Sequence, residues 1–306
     1  MLPSTTPSPH PFRFGLVAAQ ARSGAAWRDL ATRAEALGYA SLLMPDGPGP
    51  ILSPLPALAT AAACTSRLHV GTWVLANDFH NPVLVAREAA TLDLLSDGRY
   101  ELGLGAGRGD HDYASVGLPP AGSGGQRLRR LVEALQLIRA LFATERVTFE
   151  GEFYSVRNAS LFPRPQRPPR ILIAASGPKA VEVAARYADS VALGSHSREL
   201  FEQQRRGLAA AAPERAAEIE LASLVYVVPE GDRAAAESAS AMARRLGGED
   251  IEAMVAREAP NVLVGSQAAM IEQLEERRTN LGLSYIVLSA QSAEAFAPIV
   301  ARLSGT

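Results

Sequence analysis

Two histidines and an aspartate occupy short polar stretches in which they could transfer protons. His80 lies in ANDFHN, His111 lies in RGDHDY, and Asp46 lies in PDGPGP. Imidazole titrates near neutral pH and carboxyl groups also exchange protons, so these residue types suit general acid–base catalysis. For either histidine, the alternative interpretation is a solvated loop position without a catalytic role.

A glycine-rich stretch, DGRYELGLGAGRGDHDY, could bind an anionic group. Gly107 and two further glycines surround Arg108 directly after a predicted buried strand, and residues 110–113 are predicted to form one polar loop. Glycine lets a ligand approach the backbone closely, and arginine supplies fixed donors. The stretch lacks the dinucleotide motif G-x-G-x-x-G, because Arg108 stands in the sixth place counted from Gly103. The alternative is a turn whose glycines serve only tight packing.

The segment AASGPKA contains the only lysine of the chain and predicts a phosphate site. A strand ends at its small residues, and Pro178 is predicted to open a helix. The backbone N–H groups of Ser176, Gly177 and Lys179 would then point outwards at the positive end of the helix dipole. Ala175 completes the predicted site, and the alternative for Lys179 is a solvated residue in a first turn.

Composition favours a small-molecule partner. The chain has 306 residues, is 47% hydrophobic and carries a formal net charge of -2, so nothing in it indicates binding to nucleic acid or to an anionic membrane. The single cysteine, Cys64, excludes a disulfide framework and a cysteine metal site, and no metal site is predicted. Residues 1–11 read as a disordered tail without signal-peptide features, and we expect a cytoplasmic protein.

The secondary-structure pattern predicts a (β/α)₈ TIM barrel with loop insertions, formed as one domain by residues 12–306. The first turn, AQARSG, lacks the phosphate motif expected of a doubly wound sheet, and no linker divides the chain. A hairpin is predicted over residues 147–156. Helices are expected to alternate with eight strands: Phe12–Ala19, Ala40–Met44, Leu68–Leu75, Tyr100–Leu104, Arg170–Ala174, Ser190–Leu193, Glu220–Val228 and Ser284–Leu288.

A barrel of this kind collects its functional residues at the carboxyl ends of its strands. The polar residues named above all follow predicted strands. In chain order, the strand-end residues are Asp46, Asn77, Asp78, His80, Arg108, Asp110, His111, Tyr113, Ser176, Lys179, Ser195 and His196. We therefore expect them at one end of the barrel.

Three segments together resemble the bacterial luciferase-like oxidoreductases, which depend on flavin or on a deazaflavin. They are FRFGLVAAQARSGAAW, GTWVLANDFHNPVLVAREAATLDLLSDGRYELGLGAGR and ILIAASGPKAVEVAARYADSVALG. The resemblance covers most of the chain. It implies the barrel already predicted and a protein that is commonly a homodimer.

The resemblance also implies roles for individual residues. The stretch GTWVLANDF is similar to the deazaflavin branch, in which a cis peptide bond, here Trp73 to Val74, supports the cofactor ring. Asp46 matches an acidic residue that contacts the ring, but Gly47 stands where sugar-phosphate dehydrogenases of this branch carry a catalytic histidine. This departure puts their substrate and their proton-transfer scheme in doubt.

Of the remaining matches, one favours the FMN branch and the other favours neither branch. Arg108 resembles the arginine that holds the phosphate of FMN, whereas Ser176 and Gly177 match the phosphate turn of both branches. The predicted cofactor-binding set is Asp46, Trp73, Val74, Asn77, Gly107, Arg108, Ala175, Ser176, Gly177, Pro178 and Lys179.

The sequence therefore leads to one hypothesis with two alternatives. The leading hypothesis is an oxidoreductase in which coenzyme F420 exchanges hydride with a small organic substrate and a protein residue transfers the proton. The candidates for that residue are His80, His111 and Asp46. The first alternative is an FMN-dependent monooxygenase fed by a separate reductase, and the second is a non-catalytic flavin-binding barrel. No motif identifies the substrate.

Overall fold

A computed structural model describes residues 10–107, 110–120 and 122–306, without the side chain of Asp110. Most of the predicted tail and the predicted phosphate ligand Arg108 therefore lie outside the described residues. The strands of the described chain are β1 Arg13–Val17, β2 Ser41–Met44, β3 His69–Thr72, β4 Leu75–Ala76, β5 Tyr100–Gly105, β6 Val147–Glu150, β7 Ser155–Ala159, β8 Arg170–Ala175, β9 Ser190–Leu193, β10 Glu220–Leu224, β11 Tyr226–Pro229, β12 Val262–Gly265 and β13 Leu283–Ser289.

Helices follow most of these strands. They are α1 Gly24–Ala36, α2 Pro54–Ala63, α3 Pro82–Leu95, α4 Asp110–Ser115, α5 Gly124–Ala143, α6 Pro178–Tyr187, α7 Arg198–Ala211, α8 Arg233–Arg245, α9 Ile251–Ala256, α10 Gln267–Leu281 and α11 Ala293–Leu303, with 3-10 turns at Asn77–Phe79 and Ala290–Ser292. Within the described residues, none of these helices is long and apolar enough to span a membrane.

Eight of the described strands form a closed ring, which confirms the predicted (β/α)₈ barrel. Their order is β3, β2, β1, β13, β10, β9, β8 and β5, and β5 pairs back to β3 to close the ring. Strands β2, β5 and β9 are buried at every residue, as expected of parallel strands that are covered on both faces. The short strand β4 continues the course of β3 and pairs with β5.

The described chain divides into two compact units. One unit consists of residues 10–17, Ala36–Ala40 and Ala175–Thr306, and the other of Ala18–Glu35 and Ser41–Ala174. The second unit contains β2 to β5 and an antiparallel hairpin of β6 and β7, which confirms the predicted hairpin. The prediction of a single domain over residues 12–306 stays a prediction.

The first unit contains an insertion that was not predicted from the sequence. We expected one strand over Glu220–Val228, but the chain changes partners within it: the N–H of Val225 donates to Val287, and that of Tyr226 donates to Asn261. The second part, β11, therefore leaves the ring and pairs in parallel with β12, a strand that was not predicted. Together with α8 and α9, these strands bury a small apolar core that includes Met254 and Val262.

A second correction concerns the residues after β5. The predicted polar loop at residues 110–113 is the first part of helix α4. Tyr113 explains why the segment folds, because its side chain is buried and its hydroxyl group donates to Asp78 at 2.9 Å. An aromatic anchor of this kind outweighs the polar composition on which the loop prediction rested.

Candidate functional site

The interruption between β3 and β4 is the first feature that shapes the site. The peptide bond between Trp73 and Val74 is cis, as predicted. The Thr72 hydroxyl group binds the backbone of β5 twice, since it donates to the Gly103 carbonyl at 2.8 Å and accepts from the Gly103 N–H at 2.9 Å. A Cβ atom on Gly103 would lie 1.9 Å from the carbonyl oxygen of Thr72, so only glycine fits this close approach.

Asp46 and His80 form a hydrogen-bonded pair at the ends of β2 and β4. His80 Nε2 lies 2.8 Å from Asp46 Oδ2, although 34 residues separate them in the sequence. The same carboxylate accepts from the N–H of Ala76 at 3.0 Å and from that of Gly47 at 2.9 Å. Burial alone would raise the pKa of Asp46, but these hydrogen bonds hold it below its usual value.

The ionised state of Asp46 determines which nitrogen of the His80 ring carries the proton. A carboxylate can only accept, so Nε2 of His80 carries the proton that it donates to Asp46. In neutral His80 the other ring nitrogen, Nδ1, is therefore the basic atom. The His80 side chain is 27% exposed and that of Asp46 only 10%, so the pair combines a held carboxylate with an accessible imidazole.

The 3-10 turn that leads to His80 gathers further polar groups. Asp78 accepts from the Tyr113 hydroxyl group at 2.9 Å and forms an ion pair with Arg130 of α5. Asn77, buried and predicted to bind the cofactor, donates to the Tyr154 hydroxyl group at 3.2 Å. Arg130 and Tyr154 are not predicted site residues, because nothing in the local sequence pattern marks a contact across so many residues.

Two further predicted residues of this unit are His111 and Gly107. The His111 side chain is 96% exposed and lies 3.6 Å from Asp112, so it does not join the pair of Asp46 and His80. Gly107 has a positive φ of 78°, and a Cβ atom there would lie 2.8 Å from the Tyr113 hydroxyl oxygen. Its lack of a side chain thus serves the packing of Tyr113.

The predicted phosphate turn lies in the other unit, at the start of α6. Gly177 is the N-cap residue and Pro178 opens the helix, as predicted. Ala175 is buried, whereas Ser176 and Lys179 are exposed. A Cβ atom on Gly177 would meet no atom within 4 Å, so the turn leaves open space beside its backbone.

A buried glutamine holds this turn in place. Gln204 of α7 is only 4% exposed and donates from Nε2 to the Ser176 carbonyl at 2.7 Å. The buried Ser195 hydroxyl group in turn donates to Gln204 Oε1. Since the carbonyl and the following N–H of a trans peptide point in opposite directions, this contact directs the N–H of Gly177 away from Gln204. Sequence reasoning missed Gln204, which lies 28 residues from the turn.

Comparisons with known proteins add to this geometry. The profile of the luciferase-like monooxygenase family matches residues 10–289. One relative, the F420-dependent glucose-6-phosphate dehydrogenase of Beutenbergia cavernae, is 43% identical over 150 residues, which cover 48% of this chain and 44% of the relative. The F420-dependent hydroxymycolic acid dehydrogenase of Mycobacterium tuberculosis is 36% identical over 145 residues, 47% of this chain and 40% of the relative. The matched region thus spans less than half of each relative.

Solved structures extend the likeness of the fold over nearly the whole chain. An F420-dependent secondary alcohol dehydrogenase, solved with an F420–acetone adduct, superimposes with a TM-score of 0.81 at 21% identity, covering 96% of this chain and 99% of that one. The coenzyme F420-dependent tetrahydromethanopterin reductase of Methanopyrus kandleri gives a TM-score of 0.79 at 18% identity, with 94% and 98% covered. At these identities the likeness shows the fold.

Proposed function

Because this chain belongs to the luciferase-like monooxygenase family, we propose that it is an oxidoreductase that uses coenzyme F420 to exchange hydride with a small organic substrate. The observation that carries the proposal is the hydrogen bond between Asp46 and His80, whose imidazole is partly exposed. The names of the relatives support the choice of cofactor, since both curated relatives described above are F420-dependent dehydrogenases.

The residues present fit such a cofactor at both predicted places. Open space beside Gly177 and the exposed Lys179 suit an anionic group at the start of α6. Asp46, Trp73, Val74, Asn77 and Gly107 are proposed to hold the ring, and Arg108, Ala175, Ser176 and Pro178 to complete the phosphate contacts. Coenzyme F420, when bound, supplies a ring that exchanges hydride with a substrate carbon.

The chain's own contribution is to hold and move one proton. In the direction of substrate oxidation, Nδ1 of His80 accepts the proton of a substrate hydroxyl group, and Nε2–H stays hydrogen-bonded to Asp46. The negative charge of Asp46 stabilises the imidazolium that results. The backbone N–H groups of Ala76 and Gly47 keep that carboxylate in place.

This arrangement departs from the sugar-phosphate dehydrogenases that the sequence resembles. Gly47 stands where they carry a catalytic histidine, and a Cβ atom on Gly47 would meet no atom within 4 Å. In this chain the imidazole that binds Asp46 comes from position 80 instead. We therefore propose the reaction type without the sugar-phosphate substrate.

An assay of the purified protein tests the proposed function. A panel of secondary alcohols and hydroxy acids is offered with oxidised F420 in the absence of oxygen, and reduction is followed by the loss of the deazaflavin absorbance. We expect at least one member of the panel to reduce F420. Oxygen-dependent turnover with FMN and a separate reductase, and none with F420, would overturn the proposal in favour of a monooxygenase.

The same proposal includes a cytoplasmic homodimer, as the family resemblance implies. Light scattering of the purified protein should then give twice the chain mass of 32.4 kDa. A scattering mass equal to that of one chain would contradict the dimer and leave the proposed chemistry untouched.

A further inference from the structure

We propose that Asp78 is a positioning residue for His80. By linking the turn that precedes His80 to α4 and α5, Asp78 holds the His80 imidazole against Asp46. The inference rests on the proposed function only in so far as His80 transfers the proton. Asp78 itself lies in the 3-10 turn Asn77–Phe79, and this turn ends with a hydrogen bond of 3.1 Å from the N–H of His80 to the Asn77 carbonyl.

Asp78 is buried among polar partners. Its side chain is only 2% exposed, and it is satisfied by the guanidinium group of Arg130, by the Tyr113 hydroxyl group and, at 3.4 Å, by the amide of Asn77. In this ion pair Asp78 is buried and Arg130 is 28% exposed, and a desolvated carboxylate of this kind gives little net stability compared with apolar packing of the same volume. The contribution of Asp78 is therefore to fix the place of the groups that meet there.

The partners of Asp78 connect the turn to other elements of the unit. Tyr113 comes from α4, and its ring also makes an edge-to-face contact with that of Phe79, with the ring centroids 5.1 Å apart. Arg130 comes from α5 and lies over the ring of Phe153 in the hairpin, 4.9 Å from its centroid. The side chains of one short turn thus bind several different elements of the same unit.

The position of His80 follows from that of the turn. Its imidazole is partly exposed, and its position against Asp46 depends on the backbone that carries it. Since Asp78 lies two residues earlier and is held from two sides, a shift of the turn would lengthen the hydrogen bond between Nε2 and Asp46. Burial and the Asp78 carboxylate raise the pKa of Tyr113, so the phenol remains a donor to Asp78.

The experiment observes His80 directly in the full chain, without cofactor or substrate. Protein labelled with ¹⁵N-histidine is examined by NMR for the Nε2–H proton of His80, which is assigned by its loss in His80→Gln. The variants are Tyr113→Phe, which removes one hydrogen bond to Asp78, and Asp78→Asn. Glu35→Gln is the matched control, because Glu35 binds three backbone N–H groups of the same unit and does not contact the turn.

We expect the Nε2–H proton to exchange with water at least about tenfold faster in Tyr113→Phe and to be lost in Asp78→Asn, with no change in Glu35→Gln. If Asp78→Asn does not fold, Tyr113→Phe alone decides. An unchanged exchange rate in folded Tyr113→Phe, or equal acceleration in Glu35→Gln, would overturn the assignment. Because the readout needs no turnover, it stands or fails independently of the proposed function.

Discussion

The Nε2 atom of His80 lies 2.8 Å from the Oδ2 atom of Asp46, and two backbone N–H groups bind the same carboxylate. The pair therefore has a fixed end, which is Asp46, and an accessible end, which is the imidazole. Such an arrangement suits a proton-transfer group whose tautomer is set by its partner. The two histidines proposed from the sequence can now be tested against one another.

We predict that His80→Gln lowers kcat by about 10²- to 10⁴-fold, the usual contribution of a general acid or base. Glutamine retains a hydrogen bond to Asp46 but exchanges no proton near neutral pH. The affinity for F420 should change less than about twofold, because the substitution leaves the phosphate turn intact. Steady-state kinetics and a fluorescence titration of the same preparations give both values.

His111→Gln is the matched comparison, since its imidazole is exposed and does not contact Asp46. We expect it to retain wild-type turnover. Equal losses of kcat in the two variants would contradict the role of His80, and full turnover in His80→Gln would direct attention to Asp46 itself.

A second prediction concerns the phosphate turn. Gly177→Ala should weaken F420 binding by about tenfold while changing the free energy of unfolding by less than about 1 kcal/mol. The backbone at Gly177 has φ of -92° and ψ of 162°, which alanine adopts without strain, and the added Cβ would enter open space. Isothermal titration measures the affinity, and urea unfolding checks the stability. Unweakened binding would mean that the anion lies elsewhere.

Lys179 gives a third prediction, which separates the two cofactors. F420 continues beyond its first phosphate into a lactate and glutamate chain, whereas FMN ends there as a dianion. Lys179→Ala should weaken F420 binding by about two- to fivefold, because an exposed ammonium group is largely solvated. FMN binding should stay unchanged. The measurement is made at low salt, and an equal effect on both cofactors would place Lys179 at the first phosphate.

A fourth prediction concerns stability and its dependence on pH. The Glu35 carboxylate accepts from three consecutive N–H groups, those of Ser66, Arg67 and Leu68, at 2.8, 2.6 and 2.9 Å. Burial alone would raise the pKa of Glu35, but these hydrogen bonds lower it below its usual value. Glu35→Gln should lower the free energy of unfolding by about 1 to 3 kcal/mol at pH 7.

The sign of the pH effect follows from the lowered pKa. The contribution of Glu35 is complete above the pKa of the unfolded chain, about 4.3, and is lost as the pH falls through the lower pKa of the folded state. The difference between wild type and Glu35→Gln should therefore shrink in acid. Urea unfolding at several pH values tests this, with the exposed Glu145→Gln as control. A difference that grows in acid would contradict the argument.

Much of the barrel could be predicted because its signals are local. Helix α6 begins at Pro178, the residue predicted to open it, and the apolar run Ser190–Leu193 matches β9 at both ends. By contrast, Glu220–Val228 reads as one continuous strand, since only the tertiary partners of Val225 and Tyr226 reveal the break. Strand β12 was not predicted, although its sequence VLVG is a short apolar run like that of β9.

The site divides in a similar way. Asp46 and His80 could be named from their types and from the ends of their strands, but the contact between them depends on the fold. The contacts of Asp78 with Tyr113 and Arg130, which lie 35 and 52 residues away, likewise depend on the fold. Sequence patterns thus supplied the candidate residues, and the packing of distant segments determined which of them meet.

The most direct test of the central claim is a fluorescence titration of the purified apoprotein with F420 and, separately, with FMN at low salt. We expect saturable binding of F420 with a Kd in the micromolar range or tighter, and FMN binding weaker by at least about tenfold, which corresponds to about 1.4 kcal/mol. Tight, saturable binding of FMN together with no binding of F420 would contradict that claim.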